Sequence, residues 1–239
     1  MLSIICASNN NKILEECVKK TLDKQTYKDW ELIIIDTKKN KYTGASDALM
    51  SGAKNANGDI LIFIHHDVIF NTEYELENIV KQIEKIKDFG ILGIAGAAYK
   101  KGILVGNITN GEPPIHISEE KINEPTEVQT LDEVMFIVKK ENLEEYPLNL
   151  ENKTWHLYAV EYSLLMKEKN KKVLVIPCNI HHLSAGASMN KEYYKQLINV
   201  RQKYKSNCKK INTTCGCWFT NKILLRLQIY RHLSRLKQK

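Results

Sequence analysis

The stretch GDILIFIHHDVIFN, residues 58–71, decides the fold of this chain. It opens with a turn signal, and the apolar run that follows suits a buried β-strand. At the end of the run stand His65, His66 and Asp67, three groups that can bind a metal or move a proton. Because parallel sheets bind ligands beyond the carboxyl ends of their strands, this strand end is a candidate site.

Short strands alternate with helical patterns in the first part of the chain. Residues 2–8, LSIICAS, and residues 30–36, WELIIID, are predicted strands, and the helix KILEECVKKTL is predicted between them over residues 12–22. The segment GASDALMSGAKNA, residues 44–56, has the small-residue pattern of a helix that packs closely on a sheet. This alternation predicts an α/β fold with a mostly parallel central sheet flanked by helices.

Beyond residue 90 the predicted elements follow a less regular order. They are the strands ILGIAGAAY (91–99) and VMFIVKK (134–140), the helix WHLYAVEYSLLMKEKN (155–170), and the strand KVLVIP (172–177), which runs into CNIHHLSAGAS (178–188). The simplest partition is one domain over residues 1–190 and a basic helical extension over residues 191–239.

Positive charge is concentrated at the carboxyl end. No acidic residue follows Glu192, whereas twelve basic residues do: Lys195, Arg201, Lys203, Lys205, Lys209, Lys210, Lys222, Arg226, Arg231, Arg235, Lys237 and Lys239. Residues 1–192 carry the other 23 basic and all 28 acidic side chains, a balance of −5, while the whole chain carries +7. The net positive charge therefore belongs to the carboxyl-terminal segment.

The last residues, 218–239, predict an amphipathic helix. One face would carry Leu225, Ile229, Leu233 and Leu236, and the opposite face Gln228, Arg231, Arg235 and Lys239. A basic polar face suits anionic lipid headgroups, which makes an anionic membrane surface an expected partner. The alternative is a helix docked on the domain with a solvated outer face. Nucleic acid is not an expected partner, since no recognised binding module accompanies the charge.

Nothing in the sequence indicates export or insertion into a membrane. No run approaches the roughly 20 apolar residues that span a bilayer, and the start, MLSIICAS, has no basic segment and is too short for a secretory signal. We therefore expect a cytoplasmic protein, peripheral at the inner face of the cell membrane. Its six scattered cysteines are expected to be free thiols.

Three predicted strands end in groups suited to a ligand: Ala7-Ser8-Asn9, Asp36 and His65-His66-Asp67. An isolated Asp36 would be read as a turn former, but three such strand ends in succession predict a nucleotide pocket. The chain has no GxGxxG motif, so a dinucleotide-binding fold would have nothing to hold its pyrophosphate.

The segments SIICASNN, WELIIID and GASDALMSGAKNANGDILIFIHHDV, in this order, resemble the nucleotide-binding half of glycosyltransferase family 2 enzymes, which have the GT-A fold. The likeness continues through LDEVMFIV, WHLYAVEYSLL and IHHLSAG and covers about residues 2–187. In that family a DxD motif binds the diphosphate of a sugar nucleotide through a divalent cation. Here the motif becomes His65-His66-Asp67, an HxD, which resembles a bacterial-type subgroup.

The resemblance implies a donor site and a metal site. The donor residues would be Ala7, Ser8, Asn9, Asp36, Gly44, Ser46, His65 and His66, with Asp36 on the base or ribose. Asp67 would hold Mn²⁺ or Mg²⁺, and the H-x-S-x-G pattern selects His182 over His181 as the second ligand. Ser184 and Gly186 would shape a loop that contacts phosphate. A nitrogen donor at His65 would suit Mn²⁺ better than Mg²⁺.

Transfer to a sugar hydroxyl also needs a base, because the hydroxyl is a weak nucleophile until a group accepts its proton. The position most like the family's aspartate is Ala159, and the nearby carboxylate is Glu161. We therefore predict Glu161 as the base and His156 as a second catalytic residue. The alternative is that Glu161 only favours the helix amino terminus. The acceptor side would comprise Trp155, Tyr158 and Asp132, although packing also accounts for the two aromatic residues.

The sequence thus predicts a metal-dependent inverting glycosyltransferase of the hexosyl or deoxyhexosyl type. It would move a sugar from a nucleoside-diphosphate sugar to a hydroxyl of a glycan or lipid-linked acceptor, as in polysaccharide biosynthesis. A sugar-nucleotide-binding protein without catalysis is the alternative, suggested by the altered DxD and by Ala159. A nucleotidyltransferase is a further alternative, but no glycine-rich triphosphate loop follows the first strand.

Overall fold

The computed structural model describes residues 1–118, 121–185 and 189–236, with side chains as far as residue 234. The strands within these residues are β1 (Leu2–Ser8), β2 (Trp30–Asp36), β3 (Ile60–His65), β4 (Val68–Phe70), β5 (Ile91–Gly93), β6 (Ala95–Ala97), β7 (Leu104–Gly106), β8 (Thr109–Asn110), β9 (Ile115–His116), β10 (Thr126–Glu127), β11 (Thr130–Leu131), β12 (Met135–Lys139), β13 (Val173–Val175), β14 (Ile180–His182), β15 (Lys210–Thr213) and β16 (Gly216–Phe219).

The helices begin with a continuous segment in which α1 (Asn11–Leu14) passes through a π-helical turn (Glu15–Lys19) into α2 (Lys20–Leu22). The others are α3 (Ala45–Ala53), α4 (Glu75–Ile86), α5 (Lys140–Glu145), α6 (Tyr158–Glu168), α7 (Lys191–Tyr204) and α8 (Lys222–Leu236). Among the described residues, no helix is both long enough and apolar enough to cross a bilayer.

Seven strands form the central sheet in the order β10-β13-β5-β12-β3-β1-β2. Five of them, β1, β2, β3, β5 and β13, point the same way, whereas β10 and β12 run against them. The sheet is therefore mixed, with a parallel majority. Helices cover it on both faces, so the predicted α/β architecture is confirmed.

Burial on both faces explains why the first strands are unbroken apolar runs. In β1, Ile4 and Cys6 pack with α1, α2 and α4 on one face, while Ile5 packs with α3 and α6 on the other. All three side chains are fully buried. A strand with one wet face would alternate apolar and polar residues, whereas a strand covered on both faces does not.

A small sheet joins the end of β3 to a distant segment of the chain. β4 follows β3 after one tight turn and pairs antiparallel with β14, so that His182 lies opposite Val68. The N–H of Leu183 then donates to the carbonyl oxygen of Asp67 at 3.0 Å. β8 and β9 extend this sheet, β6, β7 and β11 form another, and β15 and β16 form a hairpin.

The carboxyl-terminal segment is only partly helical. α7 and α8 agree with the predicted extension, but residues 210–219 form the β15–β16 hairpin, so the prediction of a wholly helical extension is wrong there. The hairpin depends on distant partners that a local pattern does not reveal. The N–H of Asn212 donates to Gln129 Oε1 at 2.7 Å, and Gln129 Nε2 donates to the carbonyl oxygen of Lys210 at 2.9 Å.

The faces of α8 also differ from the prediction. Leu225 is buried and Ile229 packs with it against the domain, whereas Leu233 is exposed. Gln228, predicted on the outer face, bonds to the hairpin: Nε2 donates to the carbonyl of Cys217 at 2.9 Å, and Oε1 accepts from the N–H of Phe219 at 2.8 Å. The helical rotation of about 100° per residue places position 228 near positions 225 and 229, which accounts for this.

Gly186, Lys239 and the side chains of Arg235 and Leu236 lie outside the described residues. All six cysteines are free thiols, as predicted.

Candidate active site

A cavity of about 760 Å³ opens at the carboxyl ends of β1, β2 and β3. The strand ends contribute Ala7, Asn9, Thr37, His65, His66 and Asp67 to its lining. Its other polar and aromatic walls include Glu133, Trp155, His156 and Tyr158. The fold therefore brings three strand ends together with a segment of the chain that lies far from them in sequence.

His65, Asp67 and His182 form a compact cluster at this cavity. Each offers one ligand atom, and the three atoms lie within 4.8 Å of one another. His182 Nε2 is 3.2 Å from Asp67 Oδ1 and 3.1 Å from Ser184 Oγ. The neighbouring His181 instead contacts Thr109 Oγ1 through Nδ1 at 3.0 Å. The pairing of β4 with β14 thus selects His182 to face Asp67.

The cluster keeps its carboxylate ionised and its strand-end histidine neutral. Burial alone would raise the pKa of Asp67, but the hydrogen bond and electrostatic attraction of His182 bring it well below its ordinary value. Burial lowers the pKa of His65 to about 4, and His182 adds to that effect. An anionic oxygen beside a neutral imidazole is a donor set that suits a divalent cation.

The start of α6 turns two rings towards the cavity. Leu157 has φ 61°, in the left-handed region, and stands between His156 and Tyr158, both of which line the cavity. Tyr158 OH is 3.2 Å from His65 Nε2, so α6 contacts the cluster directly. Burial lowers the pKa of His156. Trp155, also on the cavity wall, is largely exposed and offers a flat apolar face to solvent.

Glu133 is a carboxylate in the cavity lining that the sequence reasoning missed. Burial raises the pKa of its carboxyl to about 8, and the neighbouring Asp132 adds to the rise. Its Oε1 is buried without a hydrogen-bond partner among the described residues, although the residue as a whole keeps partial solvent access. The position of Glu133 just before β12 could have indicated this site. Because β12 runs antiparallel to β3, residues just before β12 lie near the carboxyl end of β3.

The predicted donor residues divide into two groups. Ala7, Asn9, His65 and His66 line the cavity. Ser8, Gly44 and Ser46 lie outside its lining and support it. The N–H of Asn10 donates to Ser8 Oγ at 3.1 Å, and Ser46 is fully buried in the first turn of α3.

Gly44 permits a close approach that positions one wall of the cavity. A Cβ at this position would lie 2.7 Å from the carbonyl oxygen of Asn152 and 2.8 Å from that of Thr154. The N–H of Ala45 donates to the same Thr154 oxygen at 3.0 Å. Because Trp155 follows directly, the contact fixes the segment that carries the cavity's aromatic side chains.

Asp36 lies at the rim and outside the cavity lining. Its Oδ1 accepts the N–H groups of Lys38 and Lys39 at 2.9 and 3.0 Å, which lowers its pKa. The next residue, Thr37, lines the cavity. The structure therefore shows Asp36 as the residue that shapes the turn at the end of β2. The predicted contact with a base or ribose stays a prediction.

Glu161 does not face this cavity. It lies on a second one, of about 340 Å³, and is buried. Its Oε1 accepts from Asn149 Nδ2 at 2.7 Å and from Lys203 Nζ at 3.1 Å, while Oε2 accepts from Gln196 Nε2 at 3.1 Å. Two of these partners, Gln196 and Lys203, belong to α7, so the Glu161 carboxylate is directed towards α7 and lies outside the lining of the first cavity. The geometry does not support the predicted role of Glu161 as the base.

Asp132 also lies outside the cavity lining, next to Glu133. Its Oδ1 accepts from the N–H of Val134 at 3.0 Å, and its Oδ2 accepts from the Thr214 hydroxyl in the carboxyl-terminal hairpin. The described contacts are those of a turn residue, and a role for Asp132 with the acceptor stays a prediction.

Comparison with known proteins gives one match at the level of sequence families. Residues 3–213 match the family described as "Glycosyltransferase like family", a family 2-like group. A search of curated proteins gives no significant match.

Three similar solved structures are remote from this chain in sequence. GalNAc-T7 with UDP, GalNAc and Mn²⁺ has a TM-score of 0.62 and 14% identity, and the match covers 84% of this chain and 47% of that one. TarS residues 1–349 from S. aureus has a TM-score of 0.58 and 13% identity, and the match covers 84% of this chain and 64% of that one. The mannosyltransferase PcManGT from Pyrobaculum calidifontis, with GDP-Man and Mn²⁺, has a TM-score of 0.58 and 12% identity. The match covers 87% of this chain and 65% of that one. This chain therefore spans less than two thirds of each.

The family match covers most of the chain, and the structural matches share the mixed sheet flanked by helices. The protein has the GT-A fold and belongs to the glycosyltransferase family 2-like group.

Proposed function

We propose that this protein transfers a sugar from a nucleoside-diphosphate sugar to an acceptor hydroxyl, with inversion at the anomeric carbon and with a divalent cation. The observation that carries the proposal is the cluster of His65, Asp67 and His182 on the cavity at the strand ends. Similar structures contain UDP and Mn²⁺ or GDP-Man and Mn²⁺, which supports a donor of this class.

The residues present fit a divalent cation. Asp67 and His182 would hold it, with His65 as the third donor, since their ligand atoms already lie within 4.8 Å of one another. Two imidazole nitrogens beside one carboxylate favour Mn²⁺ over Mg²⁺, which prefers oxygen ligands. The cation, when bound, neutralises negative charge that develops on the leaving diphosphate.

We assign the base to Glu133 in place of Glu161. Glu133 shares the cavity with His65 and Asp67, whereas every described bond of Glu161 is structural. In the proposed step the acceptor hydroxyl gives its proton to the Glu133 carboxylate, and its oxygen forms a bond to the anomeric carbon. The bond from that carbon to the diphosphate oxygen breaks, and the electron pair leaves with the nucleoside diphosphate.

The acceptor is proposed to be a hydroxyl of a glycan or lipid-linked sugar, bound against Trp155 and His156 at the cavity mouth. An exposed indole face suits stacking on the apolar side of a sugar ring. A hexosyl or deoxyhexosyl donor, a role in polysaccharide biosynthesis and a cytoplasmic position at the inner face of the membrane are parts of the same proposal.

Thermal unfolding with a nucleotide panel tests the donor and the cation together. We expect one of UDP, GDP or their sugar conjugates to raise the melting temperature when Mn²⁺ is present. Ligand at about 100 times its Kd stabilises by about 2.7 kcal/mol. Asp67→Asn should abolish the cation-dependent part of this shift. The matched control is Asp59→Asn, the same change at the exposed opposite end of β3.

A full shift in Asp67→Asn would contradict the metal site. A shift with nucleoside triphosphates and release of pyrophosphate would favour a nucleotidyltransferase. Binding of the donor with no acceptor-dependent release of nucleoside diphosphate would favour a sugar-nucleotide-binding protein.

The transfer rates of variants at Glu133 and Glu161 test which of the two carboxylates is the base. We expect Glu133→Gln to lower transfer by about 100-fold, the range of general base catalysis, while the donor-induced thermal shift remains. Glu161→Gln should keep transfer within a few-fold of the unchanged protein once its folding is verified. Equal losses in both variants would contradict the assignment of Glu133.

A further inference from the structure

Helix α8 is attached to the rest of the protein by one face. Leu225 is buried, and Ile229 packs against the cluster that contains Tyr194 and Trp218. His232, two turns further along, contacts the Tyr194 hydroxyl through Nδ1. Together with the bonds of Gln228 to the hairpin, these contacts fix the rotation of the helix about its axis.

The opposite side of α8 is an apolar ridge. Ile223, Leu227 and Tyr230 are 70%, 48% and 71% exposed. With about 100° of rotation per residue, these three positions fall within about 60° of one another and roughly opposite Leu225 and His232. A helix docked on a domain normally turns polar residues to solvent, so an apolar ridge on the outer side needs another explanation.

Basic side chains border the ridge on both sides. Arg226 lies on one side and Arg231 on the other, with Lys222 in the first turn, and all three are exposed. No acidic residue occurs anywhere in the chain after Glu192. An apolar strip between exposed arginines matches the depth profile of a lipid interface, where the strip enters the acyl boundary and long basic side chains reach the headgroups.

A chain of aromatic contacts leads from α8 to the cavity. His232 lies 6.0 Å from Trp218 between ring centroids, Trp218 lies 6.2 Å from Tyr193, and Tyr193 lies 5.8 Å from His156. His156 is part of the cavity wall. The helix is therefore packed, through rigid rings, to the side of the site that is proposed to receive the acceptor.

We propose that the Ile223-Leu227-Tyr230 ridge of α8, bordered by Arg226 and Arg231, binds the surface of an anionic phospholipid membrane. This differs from the surface that the sequence suggested, because the leucine face at positions 225 and 229 is used to dock the helix on the protein. The ridge lies in the membrane plane, and the cavity wall at His156 is held close to the headgroups. Lipid binding by the ridge does not depend on donor or cation.

Charge favours a lipid surface over a second copy of the chain. Two copies that meet ridge to ridge would bring Arg226 and Arg231 of each near those of the other, without an acidic residue on α8 to pair with them. Anionic headgroups supply the complementary charge for both arginines.

Vesicle flotation of the full chain tests the proposal. The protein is mixed with vesicles of phosphatidylcholine alone or of equal parts phosphatidylcholine and phosphatidylglycerol. We expect it to float with the anionic vesicles and to remain below with the neutral ones. The triple variant Ile223→Gln, Leu227→Gln, Tyr230→Gln should lower the floating fraction by about tenfold or more.

A matched triple variant controls for the general loss of apolar surface. Ile115, Leu150 and Tyr74 are the same three residue types, and they are 67%, 47% and 51% exposed elsewhere on the protein. Changing these to Gln should leave flotation unchanged. Arg226→Gln with Arg231→Gln should weaken binding and reduce its sensitivity to salt. Both triple variants should keep the melting temperature and any donor-induced shift, which separates this result from a failure of the proposed function.

A second measurement follows the fluorescence of a tryptophan placed on the ridge by one conservative substitution. Tyr230→Trp should show a blue shift of indole emission, relative to the unchanged protein, when anionic vesicles are added. Three outcomes would overturn the proposal: an unchanged protein that does not float with anionic vesicles, a ridge variant that floats as well as the unchanged protein, or absence of the blue shift. A dimer in light scattering that the ridge variant abolishes, without flotation, would assign the ridge to a contact between copies instead.

Discussion

At the scale of single residues, Glu133 and Glu161 differ in what surrounds their carboxylates. Both oxygens of Glu161 accept hydrogen bonds, and Lys203 supplies the opposite charge. Glu133 has an unpartnered buried oxygen and lines the cavity. A carboxylate whose bonds are complete serves the structure, whereas an unsatisfied carboxyl at a cavity, with its pKa raised to about 8, can exchange a proton near neutral pH. Environment, and not residue type, therefore separates the two.

The raised pKa of Glu133 makes stability depend on pH in a defined direction. Between the ordinary value of 4.5 and about 8, an unfolded chain has an ionised Glu133, while the folded protein holds the proton. The folded state binds more protons, so stability falls as pH rises across this interval. We expect the difference in melting temperature between Glu133→Gln and the unchanged protein to grow from pH 5 to pH 8, in favour of the variant.

Each pH unit of that interval is worth up to about 1.4 kcal/mol for a group fully shielded from solvent, and the partial solvent access of Glu133 makes the measured slope smaller. Glu124→Gln, on an exposed loop, is the control and should show no such trend. A constant difference between Glu133→Gln and the unchanged protein across the interval would mean that the carboxyl keeps its ordinary pKa.

At the scale of elements, the site depends on how strands and helices end. β3 delivers His65 and Asp67 to the sheet edge, and the pairing of β4 with β14 brings His182 to the same point. The left-handed Leu157 at the start of α6 adds His156 and Tyr158. Each element contributes through its terminus, where backbone direction changes and side chains leave the packed layers.

Local pattern predicted the elements that are regular and buried. The apolar runs of β1, β2 and β3 and the helices α3 and α6 follow directly from periodicity and turn signals. The order of the motifs also led to the cluster, since strand ends of a parallel sheet converge. The local sequence pattern could not predict the orientation of the Glu161 and Glu133 side chains. One points towards α7 and the other into the cavity because of tertiary packing, not because of local spacing.

The hairpin of β15 and β16 escaped prediction for a related reason. Its partners, Gln129 and Thr130, lie about 80 residues earlier in the chain, as the bonds of Asn212 N to Gln129 Oε1 and of Thr130 Oγ1 to the Asn212 carbonyl show. A basic segment with few long apolar runs favours a solvated helix in a local reading. Only the complete fold supplies the polar partners that make strands stable there.

At the scale of the whole molecule, residues beyond 190 are part of the packing of residues before it. Leu157, Val160 and Leu164 of the earlier part share one buried cluster with Leu197 and Trp218 of the later part. Lys203 of α7 forms an ion pair with the buried Glu161 at 3.1 Å. The segment that sequence composition sets apart is therefore joined to the body by apolar burial and by a buried charge pair.

Truncation after Asn190 tests how far the two parts depend on each other. Removal would expose Leu157, Val160 and Leu164 to solvent, and it would also remove Lys203 and Gln196, the α7 partners of Glu161. We expect the truncated chain to be largely unfolded by circular dichroism and to aggregate. Removal of residues 237–239 is the control and should leave the melting temperature unchanged. A soluble truncated chain with cooperative unfolding would show that residues 1–190 form an independent domain.

The left-handed turn at Leu157 has a consequence for how this enzyme could acquire new specificity. Because residue 157 lies between the two rings, a change in its backbone dihedrals would change the direction of His156 relative to Tyr158. Glycine there would release the backbone, and asparagine would tolerate the same conformation. Under the proposed function, position 157 would tune the wall that receives the acceptor, and the contact of Tyr158 with His65 would transmit the change to the cluster.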